Sequence, residues 1–240
     1  LVVGYRTMTV DLTVDAVLVG RPIAFGPNGE PSGIHKTPCA GPVSVTETGL
    51  AGDGQGDRKR HGGPEKALHH YPIEHYAAWR QEMPELESLV PQPGGFGENL
   101  STTGLDEADV CIGDVFDLGT ARVQVAQGRQ PCWRLNVRFG RKDMARRVQA
   151  TGRTGWYYRV LSPGFVTPGD RLVLVHRPNP AWPLTRLLDI LYRDTLNADA
   201  LAAMAQLPNL AESWRALARS RLERWDIEDW TRRLTTPGRL

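Results

Sequence analysis

Cys132 stands in the stretch AQGRQPCWRLN, residues 126–136, between Pro131 and Trp133. Arg129 and Arg134 flank it at short range. Nearby cations favour the thiolate, the form of cysteine that attacks electrophiles and binds soft metals. Pro131 fixes the local backbone and removes one amide donor. Trp133 is placed to screen the sulfur from water. The same residues also suit a packed, inert thiol, the ordinary fate of a buried cysteine. No Cys-His-Asn pattern accompanies it, so spacing alone leaves both readings open.

A second group of reactive residue types lies upstream in GLAGDGQGDRKRHGGPEKALHHY, residues 49–71. Gly52, Gly54 and Gly56 give G-x-G-x-G, which is neither the dinucleotide fingerprint nor a Walker loop. Two readings remain. One is a flexible loop whose amides, with Arg58, Lys59, Arg60 and His61, gather an anion. The other is a solvated surface loop. His61, His69, His70 and His75 are close in sequence but lack the HExxH spacing of a zinc site. On a strand, His69 and His70 point to opposite faces. The stretch GGFGENLSTTGL, residues 94–105, adds Glu98 and Asn99. An asparagine amide can read the edge of a heterocycle, although a glycine-rich turn into a strand explains the composition equally well.

Short strands must position these groups. VDAVLVG (14–20), ARVQVAQ (121–127) and RLVLVHR (171–177) alternate or run apolar between Gly, Pro and Asp punctuation, as barrels and curved sheets do. Two helices interrupt them. YPIEHYAAWRQEM (71–83) starts at Pro72 and stops at Pro84. MARRVQATG follows a capping Asp143 and ends at Gly152. HRPNPAWP (176–183) has three prolines in eight residues and reads as a linker. Beyond it Leu184, Leu187, Leu188 and Leu191 keep helical spacing, Asn197 is placed to cap a second helix, and Leu210, Trp214 and Leu217 mark a third apolar face. The charges beyond alternate in sign, as on a solvated helix face.

Composition narrows the function classes. The 240 residues include 40% hydrophobic and 23% charged types, and the formal net charge is +2. That balance disfavours bulk nucleic-acid binding. The three cysteines, Cys39, Cys111 and Cys132, form no CxxC. A disulfide framework and an iron–sulfur cluster are therefore not expected, and a reducing, cytoplasmic compartment is. Cys111 reads as core. No signal peptide and no membrane-spanning run is expected.

Together, GLAGDGQGDRKRHGGPEKALHHYPIEHY, FGENLSTTGL, QPCWRLN and TGRTGWYYRVLSPG resemble the MOSC domain in its YiiM-type branch, over nearly the whole chain. The ordered set is specific, whereas each piece alone is weak. The resemblance implies a mixed α/β, β-barrel-like domain over 1–180 and a C-terminal three-helix extension over 181–240. It implies the molybdenum cofactor, a molybdopterin with a terminal phosphate, with Cys132 as the molybdenum ligand. By motif position Arg60, His61, Gly62, Gly63 and Asn99 would touch the cofactor, with Lys36 and Thr37 as an N-terminal contact. Arg129 and Arg134 join them on charge and proximity. Glu98 or His61 would be the proton donor.

The implied activity is reduction of N-hydroxylated compounds (hydroxylaminopurines, hydroxylamines, amidoximes), and with it resistance to 6-N-hydroxylaminopurine. No flavin or nicotinamide fingerprint is present, so electrons would come from a separate flavin or iron–sulfur reductase. A competing reading makes Cys132 a persulfide carrier, or the domain a cofactor-binding module. Against it, the chain lacks the aminotransferase-like, pyridoxal-phosphate-dependent domain that would generate sulfur. A third reading is an interaction module that docks through its helices.

Overall fold

The computed structural model describes residues 10–57, 61–86 and 93–238. Thirteen strands follow one another as β1 (Asp11–Val19), β2 (Ile23–Ala24), β3 (Pro31–Ser32), β4 (Thr37–Pro38), β5 (Val43–Thr46), β6 (Gly49–Leu50), β7 (Leu68–His70), β8 (Leu100–Thr102), β9 (Val115–Leu118), β10 (Ala121–Gly128), β11 (Trp156–Ser162), β12 (Gly164–Val166) and β13 (Arg171–His176). Seven of them close a barrel in the order β1-β13-β9-β10-β11-β7-β8 and back to β1. All pairs in it are antiparallel except β7–β8. Closure removes the free edges that an open sheet would expose.

The alternation in ARVQVAQ works as expected on one face. Val123 and Val125 are fully buried with Phe116, Leu118, Leu68 and Trp156. The other face is solvated only at Arg122. Ala126 is also fully buried, and its carbonyl accepts the Ala211 amide at 2.8 Å. The helices beyond residue 183 cover that face.

Among the described residues seven α-helices complete the fold: α1 (Glu74–Glu82), α2 (Arg134–Arg138), α3 (Met144–Thr151), α4 (Leu184–Tyr192), α5 (Ala198–Ala205), α6 (Glu212–Arg224) and a single turn, α7 (Thr231–Leu234). Asn197 caps α5 as expected, accepting the Ala200 amide at 3.0 Å. Gly152 ends α3 in the left-handed conformation, φ 77°. Asp143 precedes α3 but makes no cap bond. Its carboxylate is taken by Arg141 and Arg147, at 3.2 and 2.6 Å. Charged partners compete with a backbone amide for the same oxygens.

The proline-rich stretch is no loose linker. Arg177 grips the buried Asp114 with two bonds of 2.9 and 2.7 Å. The Ile112 amide donates to the Trp182 carbonyl at 2.9 Å. Leu184, Leu187, Leu191 and Trp214 join the barrel's apolar core rather than a separate one. A second, aromatic core of Tyr71, Tyr76, Trp79, Phe96, Phe139 and Val148 lies under α1, α2 and α3. Cys132 is buried in the connection from β10 to α2.

Candidate functional site

β10 makes a bulge between Val125 and Gln127 in its pairing with β11. A bulge shifts the side-chain alternation and so re-aims the residues after it. The chain then leaves the barrel through Gly128 and Arg129 into Pro131 and Cys132. Leu135 donates its amide to the Cys132 carbonyl at 2.9 Å, which starts α2.

The sulfur of Cys132 is buried at the base of a cleft, with only 7% of the residue exposed. Burial by itself pushes the thiol up. A hydrogen bond and positive charge from His61, the Arg129 guanidinium and the Arg134 amide outweigh it. Together they lower the thiol from 9.0 to about 6. The balance of these influences favours thiolate at neutral pH. Cys111 contrasts with it: burial and Asp114 raise that thiol to about 11. Cys39 is also held up, by desolvation and Asp53.

Lys36, His61, Asn99, Arg129 and Arg134, named from separate stretches of sequence, line this one cleft with Cys132. Its open space is about 590 Å³, counting the mouth. Four further lining groups had no signal in local spacing: Asp53, Lys66, His69 and Tyr157. Asp53 accepts Lys36 Nζ, the Gly20 amide at 2.7 Å and Asn99 Nδ2 at 2.9 Å. Asn99 in turn accepts the His69 amide at 3.0 Å and donates to Leu18 O at 3.2 Å. Its amide is thus engaged by protein on both ends. It ties β7 to β1 and holds Asp53.

Glu98 is also reassigned. It is fully buried but does not line the cleft. Oε1 accepts Tyr76 Oη and the Gly94 amide, both at 2.5 Å, and Oε2 accepts the Phe96 amide at 3.1 Å. Desolvation raises its pKa against those bonds. It folds the 94–97 turn. Thr37 is exposed on β4, bonded to Val19 O at 3.3 Å, outside the cleft. Gly62 and Gly63 do not line it either. Gly63, at φ 93°, opens the turn Pro64–Lys66 that brings Lys66 to the cleft. Arg60 lies outside the described residues.

The glycine-rich loop serves close packing. A Cβ on Gly33 would stand 2.0 Å from Gly54 O, so the segments 31–34 and 53–57 can meet only as glycine there. Both segments line the cleft. The four nearby histidines separate as well. His70 is buried on Tyr158 Oη and Thr102 Oγ1, each at 3.0 Å, and desolvation lowers it to about 3. His75 pairs with Glu107 at 2.7 Å. His69 turns the other way, to the cleft, against the Tyr157 ring at 5.1 Å. Among the described residues no group of three or more His, Cys, Asp or Glu could hold a metal by itself.

Two polar atoms are left over. Arg129 Nη1 and His61 Nδ1 are buried without a partner, and Arg129 is only 6% exposed. Buried polar atoms of this kind cost free energy unless a ligand meets them. Beside them stand a thiolate, Lys66 and Arg134. A soft anionic sulfur among unmatched cationic donors fits an anionic ligand that also presents a soft metal. The molybdenum cofactor has both properties.

The comparisons with known proteins agree with this geometry. The MOSC domain family matches residues 57–173, and the YiiM-like, 3-alpha helix domain matches residues 182–224. The chain is 41% identical to Protein YiiM of Escherichia coli (strain K12) across 91% of this chain and 96% of that protein. A crystal structure of YiiM from Escherichia coli superposes with TM-score 0.76 at 36% identity, covering 90% of this chain and 99% of that one. A crystal structure titled as a hypothetical protein gives TM-score 0.82 at 37% identity, over 94% and 96%. A protein of Gibberella moniliformis named "Reductase" is 37% identical across 80% of this chain, which spans only 34% of it. The chain belongs to the MOSC domain family and carries the YiiM-like three-helix domain. Among the described residues no helix is long and apolar enough to cross a membrane.

Proposed function

We propose that this chain is a molybdenum cofactor-dependent reductase of N-hydroxylated compounds. The observation that supports it most is the place of Cys132, buried in the cleft with His61 and Arg129, which lower its thiol to about 6, beside two unpartnered buried polar atoms. Cys132 would ligate the molybdenum. Arg129, Lys66 and Arg134 would meet the anionic parts of the cofactor. When bound, the group supplies a two-electron centre able to take the oxygen of an N–OH bond.

The chain's own residues do the rest. Asp53 fixes Lys36 and Asn99 and so the wall of the cleft. Burial of the sulfur keeps water from competing for the metal position. His61 bonds the sulfur on one side and keeps Nδ1 free on the other. His61 would hand a proton to the leaving oxygen. Overall, two electrons and two protons convert R–NHOH to R–NH2 and water.

A separate flavin or iron–sulfur reductase is the proposed electron source. The relative named "Reductase" is a longer protein that contains a similar stretch, which supports redox work for this domain. The test is turnover of a hydroxylaminopurine by the cofactor-loaded protein. Activity should require a second, electron-donating protein. Full turnover with NADPH and no second protein would overturn the partner assignment. No turnover with any donor, and persulfide on Cys132, would favour a sulfur carrier instead.

A further inference from the structure

Arg233, in the single turn α7, reaches back to the peptide that carries the sulfur, 102 positions from Pro131. It holds that peptide twice. Its guanidinium donates to Pro131 O at 2.5 Å, and its own carbonyl accepts the Trp133 amide at 2.7 Å. The first contact grips the peptide unit between residues 131 and 132. The second grips the unit between 132 and 133. Peptide units are planar, so a residue has only two soft backbone angles, and the two units that flank it set both. Fixing those units fixes the backbone of Cys132 and the direction in which its side chain leaves. Pro131 has no amide N–H, so its carbonyl is the only polar main-chain group by which that residue can be held.

Arg233 is itself braced. The other arm of its fork donates to Gln149 Oε1 on α3 at 2.7 Å. The guanidinium stands 5.9 Å from the centre of the Tyr192 ring on α4. Asn136, further along the same turn, donates to Leu234 O at 2.9 Å and accepts the Ala145 amide at 2.8 Å. Upstream, Arg221 is 1% exposed and holds Glu228 with bonds of 2.9 and 2.8 Å, and the Trp230 indole donates to the same carboxylate at 2.8 Å. The segment 228–234 is thus fastened to α6 at one end and to α2 and α3 at the other. It lies past residue 224, where the match to the three-helix domain ends. Supports of this kind hold a functional side chain to a geometry that a loop alone would not keep.

We propose that Arg233 is the positioning residue of Cys132: its fork and its carbonyl lock the two peptide units around that residue and so aim the sulfur into the cleft. It acts through Cys132, not by touching a ligand. That the aimed sulfur then meets a metal rests on the reductase reading; the locking does not.

The test is hydrogen exchange of single amides in the whole, cofactor-free chain, read by NMR. Arg233→Ala removes a charged donor from Pro131 O and should speed exchange of the Trp133 amide about tenfold. The Val125 amide, bonded to Asp114 O at 2.9 Å in the barrel, should exchange as in the wild type. A merely structural role would speed both. Arg233→Lys can still donate to Pro131 O and should return the Trp133 rate to within about threefold of the wild type. Gln149→Leu keeps the charge of Arg233 but frees one arm of its fork, and should speed Trp133 exchange about threefold. It reads the same lock should Arg233→Ala fail to fold.

Trp133 exchange unmoved in Arg233→Ala and Gln149→Leu overturns the proposal, as does a rise that Val125 shares equally. In protein loaded in a cofactor-competent host, molybdenum should leave faster in the same variants and in the same order; a loss rate indifferent to Arg233 overturns the proposal too. The two readings separate. A lock seen by exchange in a chain that never holds molybdenum supports the positioning and overturns the reductase. Molybdenum held equally well in every variant, with Trp133 exchange unmoved, does the reverse.

Discussion

Replacing His61 with Ala tests the electrostatics of Cys132 most sharply. His61 contributes the two largest influences that lower the thiol, a hydrogen bond and its charge. Against them stands desolvation, the largest single influence, which raises it. With His61 gone, the thiol should climb from about 6 towards or past its ordinary 9.0. That change is worth about 4 kcal/mol of preference for thiolate. At pH 7.5 the thiolate of the wild type should outnumber the thiol by roughly thirtyfold, whereas the variant should hold only about 3% thiolate. The assay is the pH dependence of Cys132 alkylation by iodoacetamide in cofactor-free protein, followed by peptide mass. Its midpoint, not its rate, is the readout, because access changes the rate. A wild-type midpoint at 8.5 or above, or a midpoint unmoved in His61→Ala, would refute the reasoning.

Three further outcomes follow. The folded-state pKa of Cys132 is depressed, so the unfolded chain binds more protons between about pH 6 and 9, and this group stabilises the fold more as pH rises through that window. Denaturation of cofactor-free wild type against Cys132→Ser should show that stability difference shrinking as pH falls to 6. Asp53→Ala leaves Lys36 buried and unpaired (the side chains are 5% and 2% exposed) and should cost about 3–5 kcal/mol in urea unfolding, with Lys36→Met on top recovering part of it. Glu98→Gln should destabilise by about 1–3 kcal/mol through the 94–97 turn yet keep the pH profile of turnover; loss of the acidic limb of that profile would return Glu98 to the proton path.

Much of this architecture was legible in single residues. Asn197 and Gly152 marked helix ends because their side-chain and backbone preferences act locally. Val123 and Val125 marked a barrel interior by alternation. Asp143 misled because its nearest partners are arginines, and no propensity ranks a cap against an ion pair. The proline-rich stretch 176–183 misled for a similar reason. Arg177 finds Asp114, sixty-three residues away, and composition does not show that bond.

The site divides the same way. Cys132, His61, Arg129 and Arg134 could be named from residue type and motif order. Asp53 and Tyr157 could not, since their roles exist only once β11, β7, β8 and β1 follow one another in the barrel. Glu98 and Asn99 were placed in the right turn, but their structural work was not legible. Their polar atoms are claimed by amides of neighbouring segments, which only the folded chain brings near.

The central claim is that Cys132 holds molybdenum. The direct measurement is elemental analysis of wild type and Cys132→Ala made in a cofactor-competent host. The account predicts one molybdenum per chain in the wild type and none in the variant. Equal molybdenum in both, or none in a wild type that carries persulfide on Cys132, would contradict it.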